Sequence, residues 1–154
     1  MVMKGKLSVI LCSYKSKDRI EKVRNQLHAV LTSAAIPYEL IIIDDGSLDG
    51  SSEVALSLEK QFENVKAYEL SRNYTSHYAI FAGFKMVTGD CATVIADDEQ
   101  QPLHLLVQLY NEWEKGAKII FPYRTERNDP ISVSYTHLRA HETGRNLVCR
   151  LLLE

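Results

Sequence analysis

The chain has 154 residues, of which 45% are hydrophobic and 25% charged, with seven Gly and four Pro; this composition excludes disordered and fibrous classes and fits one domain with a proper core. Eighteen basic residues against 20 acidic ones leave a net charge of −2, which argues against nucleic acid as a partner, since that usually demands a basic face. Three cysteines without a CxxC pair supply neither a disulfide framework nor a zinc knuckle and suit a reducing cytoplasm.

Short apolar runs alternate with helical patterns along the chain. Strands are expected at 7–12 (LSVILC), 39–44 (ELIIID), 65–70 (VKAYEL), 91–96 (CATVIA) and 117–122 (AKIIFP). Between them, apolar residues recur at helical spacing. The stripes are Ile20, Val23, Leu27, Val30 and Leu31; then Val54, Leu58 and Phe62; then Ile80, Phe81, Phe84 and Val87; then Leu105, Leu106, Leu109, Tyr110 and Trp113. Pro37, Gly89 and Gly116 mark stops. This alternation predicts an α/β fold, a mainly parallel Rossmann-like sheet with helices on both faces. The opening run lacks a signal-peptide cleavage site, and no apolar run approaches the roughly 18 residues that span a bilayer.

Ligands of open parallel sheets bind beyond the carboxyl ends of the strands. The polar segments that follow the strands here are Ser13-Tyr14-Lys15, DDGSLDGS from Asp44, SRNYTSH from Ser71, and DDEQQP from Asp97. Asp45-Gly46 reads as a turn, and Asp49 or Ser51 as a helix cap. Asp44 and Asp45 can also accept hydrogen bonds from a base N–H or a ribose hydroxyl, with Tyr14 offering an aromatic face. Arg72 is placed to pair with the aspartates or with a phosphate. His77 falls near a helix start, while His28 and His104 fall on helical segments. The adjacent carboxylates Asp97 and Asp98 read either as a polar turn or as a metal site, because such a pair needs hydrogen bonds, water or a cation to offset its repulsion.

LSVILCSYK, YELIIIDDGSLDGS, LSRNYTSHYAIFAGFKMVTGD and VIADDEQQPLHLL together resemble the nucleotide-sugar half of family 2 glycosyltransferases, which have the GT-A fold. The subgroup they resemble is the polyprenyl-phosphate glycosyltransferases, similar to dolichyl-phosphate mannose synthase; the likeness runs from about Lys6 to Pro130. The resemblance implies an inverting transfer from a nucleotide-diphosphate sugar to an acceptor, with a polyprenyl phosphate as the lipid-phosphate partner. It implies a nucleotide pocket of Ser13, Tyr14, Asp44, Asp45, Arg72 and Asp97, and Mg²⁺ or Mn²⁺ on Asp98 and Gln100. The family's metal motif commonly reads Asp-X-Asp-Leu-Gln-Asp-Pro-Pro, and Ala96 stands where its first Asp would be.

Residues 133–154, VSYTHLRAHETGRNLVCRLLLE, continue none of that pattern and resemble a translated sequencing-library adapter. The expected organisation is therefore a truncated nucleotide-sugar-binding domain at 1–131 and a non-native tail at 132–154, so His137, His141 and Cys149 are not read as a site. The general base, acceptor site and membrane segments of the family are expected beyond this chain, with the parent at the cytoplasmic face of a membrane. Two other readings stand beside this one. The chain can be a nucleotide-binding module without catalysis, or a nucleotidyltransferase, although the latter usually shows a Gly- and Arg-rich loop where LCSYKSKD has no Gly.

Overall fold

The computed structural model describes residues 5–98 and 102–122. Eight elements alternate: β1 (Leu7–Ser13), α1 (Lys17–Ser33), β2 (Tyr38–Asp44), α2 (Ser51–Gln61), β3 (Val65–Glu69), α3 (Ser76–Phe84), β4 (Cys91–Ala96) and α4 (His104–Glu114). The strands form one parallel sheet in the order β3-β2-β1-β4, so the α/β reading of the sequence holds.

Period-two alternation sorts each strand between two cores. Leu7, Val9 and Leu11 of β1, with Leu40 and Ile42 of β2, face α1, α2 and α4. Ile10, Ile41 and Ile43 face the other way and pack with Ala79 of α3. A strand sandwiched in this way carries no polar side, which is why ELIIID reads as an unbroken apolar run. Tyr110 of α4 is fully buried and donates its hydroxyl to the Gly5 carbonyl at 2.7 Å, tying the last described helix back to the start of β1. Each fully buried Leu or Ile contributes about 1.5–3 kcal/mol.

Two expectations need correction. Residues 117–122 join no ladder among the described residues, and Ile119 and Phe121 are each about half exposed. A strand exists by pairing rather than by composition alone, and here the chain leaves α4 through Gly116 at φ 103° without meeting a partner edge. The third helical stripe holds only in part. Phe84 and Val87 pack against this second core, but the fully buried positions of α3 are Ala79 and Gly83, and Phe81 is 64% exposed. A Cβ at residue 83 would collide with Cγ2 of Ile10, so this helix lies so close to the sheet that small residues take its innermost positions.

Candidate functional site

The strand ends are level with one another. Ser13 pairs with Asp44 and Asp44 with Glu69, while Cys12 of β1 pairs with Ala96 of β4. The polar segments after β1, β2, β3 and β4 therefore meet at one edge. Ser13 is 2% exposed and its Oγ has no hydrogen-bond partner among the described residues, an orphan of the sort that a bound ligand or water satisfies. Tyr14, next along, is 41% exposed, and the Lys15 ammonium lies 5.3 Å from its ring centroid.

The β2 turn is built on its first aspartate. Asp44 is fully buried; its Oδ2 accepts the Ser47 N–H at 2.8 Å and its Oδ1 accepts the Ser47 hydroxyl at 2.6 Å. Ser47 Oγ in turn accepts the Lys15 N–H at 2.9 Å, and the Asp45 N–H donates to the Ser13 carbonyl at 2.9 Å. These bonds clamp the loops after β1 and β2 together. Asp49 accepts the N–H and hydroxyl of Ser51, so it serves the start of α2 as the sequence suggested.

The segment after β3 closes over the same turn. Gly46, at φ 67°, would place a Cβ 2.6 Å from Cα of Arg72, so the two backbones touch. The Tyr74 N–H donates to Asp45 Oδ1 at 2.7 Å, and Asp45 is only 3% exposed. The Arg72 guanidinium lies 4.7 Å from the Tyr74 ring centroid. Thr75 follows at φ 79° and ψ 158°, a region that a β-branched residue occupies only under strain.

Asp97 continues the alternation of β4 toward α1. Its Oδ2 lies 3.4 Å from Nη2 of Arg19, and its carboxylate also accepts the Tyr14 N–H. Burial raises the Asp97 carboxyl above the ordinary range; Arg19 pulls it down and Asp98 pushes it up. Cys12, on the floor of the site, is raised to about 12 by burial and then by the charges of Asp45 and Asp97, so its thiol stays protonated at neutral pH. Asp98 lies exposed in the turn that follows. Gln100 lies outside the described residues.

The structure thus brings Ser13, Tyr14, Asp44, Asp45, Arg72, Asp97 and Asp98 to one edge. Their roles differ from what their spacing alone suggests, because both oxygens of Asp44 are committed to Ser47 and one oxygen of Asp45 to Tyr74. The sequence reading missed three residues. Ser47 was findable, since Asp followed three residues later by Ser is a local turn signature. Tyr74 acts through its backbone, which leaves no trace in residue type. Arg19 reads as one more charge on a solvated helix face.

Among the described residues, no group of three His, Cys, Asp or Glu side chains could hold a metal unaided. The donor set still fits Mg²⁺ or Mn²⁺, which commonly bind through one or two carboxylates together with substrate phosphates. Asp98 is the carboxylate exposed at the strand end, while Asp97 is engaged by Arg19.

The sequence matches Glycosyl transferase family 2 over residues 8–151, a span that takes in the tail read above as adapter. Undecaprenyl-phosphate 4-deoxy-4-formamido-L-arabinose transferase of Photorhabdus laumondii is 33% identical over 127 residues, covering 82% of this chain and 39% of the relative. An uncharacterized glycosyltransferase of Synechocystis is 31% identical, covering 79% of this chain and 38% of its own length. The chain thus spans about two fifths of the curated relatives it matches. Two solved structures share the fold. A mannosyltransferase from Pyrobaculum calidifontis in complex with GDP-Man and Mn²⁺ has a TM-score of 0.58 at 16% identity, covering 71% of this chain and 32% of that one. S. aureus TarS in complex with UDP-GlcNAc has a TM-score of 0.60 at 19% identity, covering 82% and 37%. The parallel sheet with its carboxylate-lined edge, the family match and these relatives agree: the chain belongs to glycosyltransferase family 2.

Proposed function

We propose that this chain is the donor-binding part of an inverting glycosyltransferase that moves a sugar from a nucleotide-diphosphate sugar to a polyprenyl phosphate. The observation that carries the reading is the convergence of Tyr14, Asp45, Arg72, Asp97 and Asp98 at one strand edge. Curated relatives named for undecaprenyl phosphate, and fold neighbours solved with GDP-Man or UDP-GlcNAc, support it.

In this reading the exposed Tyr14 ring stacks on the base. Asp45 accepts a base N–H on the oxygen that Tyr74 does not use. Asp97 accepts from the ribose, Arg72 lies near the nucleotide, and the buried Ser13 hydroxyl gains a partner. Asp44 frames the turn through Ser47 rather than touching the ligand. Asp98, with Gln100, would hold Mg²⁺ or Mn²⁺, which when bound neutralises charge developing on the departing diphosphate. The chain spans about two fifths of its curated relatives, and this reading assigns it the donor side of the reaction. Residues 132–154 are read as a non-native tail that contributes nothing to donor binding. The described residues include no helix long and apolar enough to cross a membrane; the parent protein is placed at the cytoplasmic face of one.

Calorimetry of UDP and GDP binding to the 154-residue chain, with and without Mn²⁺, tests this. Mn²⁺ is expected to strengthen binding of one of the two. Asp98→Ala should abolish that gain, while Asp45→Asn should lower affinity roughly tenfold with or without metal. A chain that binds neither nucleotide, or equal metal dependence in Asp98→Ala, would overturn the proposal.

A further inference from the structure

Arg19 stands in the first turn of α1 but points its guanidinium at the strand edge. Its Nη2 lies 3.4 Å from the Lys15 carbonyl, 3.1 Å from Ser16 Oγ and 3.4 Å from Asp97 Oδ2. These acceptors come from the loop after β1 and the turn after β4, with Asp97 lying 78 residues from Arg19 in the chain. A guanidinium has five N–H donors in a rigid plane, and these three contacts all use one nitrogen, so among the described residues Nη1 and Nε keep N–H groups for another acceptor. The side chain is 45% exposed. It is therefore held in orientation and yet open to a ligand.

The charge around it calls for such a group. Asp44, Asp45, Asp97 and Asp98 crowd one edge, and a diphosphate entering there carries further negative charge. A cation on Asp98 offsets part of it. The Arg72 guanidinium is stacked on Tyr74 and the Lys15 ammonium on Tyr14, both beside the base side of the pocket. Arg19 is the guanidinium joined to the Asp97–Asp98 turn itself, and its remaining N–H groups can each give a charge-assisted hydrogen bond to a phosphate oxygen.

We propose that Arg19 is a phosphate ligand of this site, held in place by Asp97 and Ser16 to receive the diphosphate of the donor. The proposal rests on the nucleotide-sugar reading above and adds to it a residue from α1. Uridine, UMP and UDP, or the guanosine series if that base is preferred, separate a phosphate contact from a contact to the base or from support of the fold. In the 154-residue chain, Arg19→Ala should leave nucleoside affinity within about twofold and weaken the diphosphate about three- to tenfold, a range reduced from that of a buried charged hydrogen bond because the group is half exposed. Arg19→Lys should recover part of the loss, because it restores the charge but not the planar guanidinium that Asp97 and Ser16 hold in orientation. Raising the salt concentration should narrow the gap between parent and Arg19→Ala. Equal weakening of nucleoside and diphosphate would show that Arg19 only supports the loops, and an unchanged diphosphate affinity would show a surface ion pair; either result overturns the proposal. Failure of the parent chain to bind any member of the series would instead remove the nucleotide-sugar reading, and this inference with it.

Discussion

Replacing Asp44 separates a strut from a ligand. Its carboxylate is fully buried and makes two bonds to one residue, the Ser47 N–H at 2.8 Å and the Ser47 hydroxyl at 2.6 Å. In Asp44→Asn the amide carbonyl keeps the first of these. The amide N–H₂ then faces Ser47 Oγ, which turns from donor to acceptor. That oxygen already accepts the Lys15 N–H and has a second lone pair for the amide, but the Ser47 O–H hydrogen loses the carboxylate oxygen it donated to. The loss combines weaker neutral bonds with that stranded donor, about 1–2 kcal/mol. Asp44→Ala cannot compensate in this way. It strands the Ser47 N–H in a residue only 5% exposed, and each unsatisfied buried group costs about 1–3 kcal/mol. Relief from burying a carboxylate offsets part of this, leaving a net loss of about 2–3 kcal/mol. With a urea slope near 2 kcal/mol/M, the midpoint should fall by about 0.5–1 M for Asn and about 1–1.5 M for Ala. Urea unfolding followed by far-ultraviolet circular dichroism measures both. The folded Asp44→Asn chain should bind UDP or GDP within about twofold of the parent, since both carboxylate oxygens are already taken by Ser47. An Ala variant within about 0.5 kcal/mol of the parent would refute the strut. A stable Asn variant that loses nucleotide affinity would place Asp44 on the ligand instead.

Two other substitutions test features away from the ligand. Thr75→Gly should stabilise the chain by about 0.5–2 kcal/mol, because release of strain worth about 1–3 kcal/mol exceeds the entropy cost of glycine; a lower melting temperature would contradict this. At the opposite edge, burial pushes the Glu39 carboxyl up, but hydrogen bonds from Ser8 and Thr88 and from the Lys6 ammonium outweigh it and hold it at about 2. A carboxylate depressed by folding contributes stability above its unfolded pKa that is lost as pH falls toward the folded value. Glu39→Gln should therefore flatten the loss of stability between about pH 4.5 and pH 2, and an unchanged acid limb would show the cluster to be energetically silent.

The frame of this fold was legible because burial on both faces writes itself as apolar runs. The four paired strands end within a residue of the expected positions, and each apolar stripe overlaps a helix. What failed has a physical cause in each case. Residues 117–122 have a strand's composition, but pairing is a property of neighbours. The innermost positions of α3 are Ala79 and Gly83 because close approach favours absence of bulk, and a reading that looks for large residues finds Phe84 and Val87 beside them but misses these two and adds the exposed Phe81. At the site, residue types pointed to the right edge, yet they did not divide the labour within it. Asp44 and Asp45 look alike in sequence. Burial and the loop after β3 make one a turn acceptor and leave the other one oxygen short. The tie between Arg19 and Asp97 joins positions 78 apart, and no local pattern announces it.

The level strand ends mean that this site is specified by counting as well as by chemistry. Ile95 points toward α1, Ala96 away from it, and Asp97 toward it again. Deleting one residue from β4 would exchange the faces of everything after it, turning Asp97 from Arg19 toward the side of Cys12 and Val94 without changing any residue type. The same holds for Ser13 and Asp44, which share the inner face with α1 and α2. Insertions between a helix and the following strand disturb none of these positions. Length variation is thus cheap at the amino ends of the strands and ruinous within them, and a library that varies the spacing there would map the site without altering a single side chain.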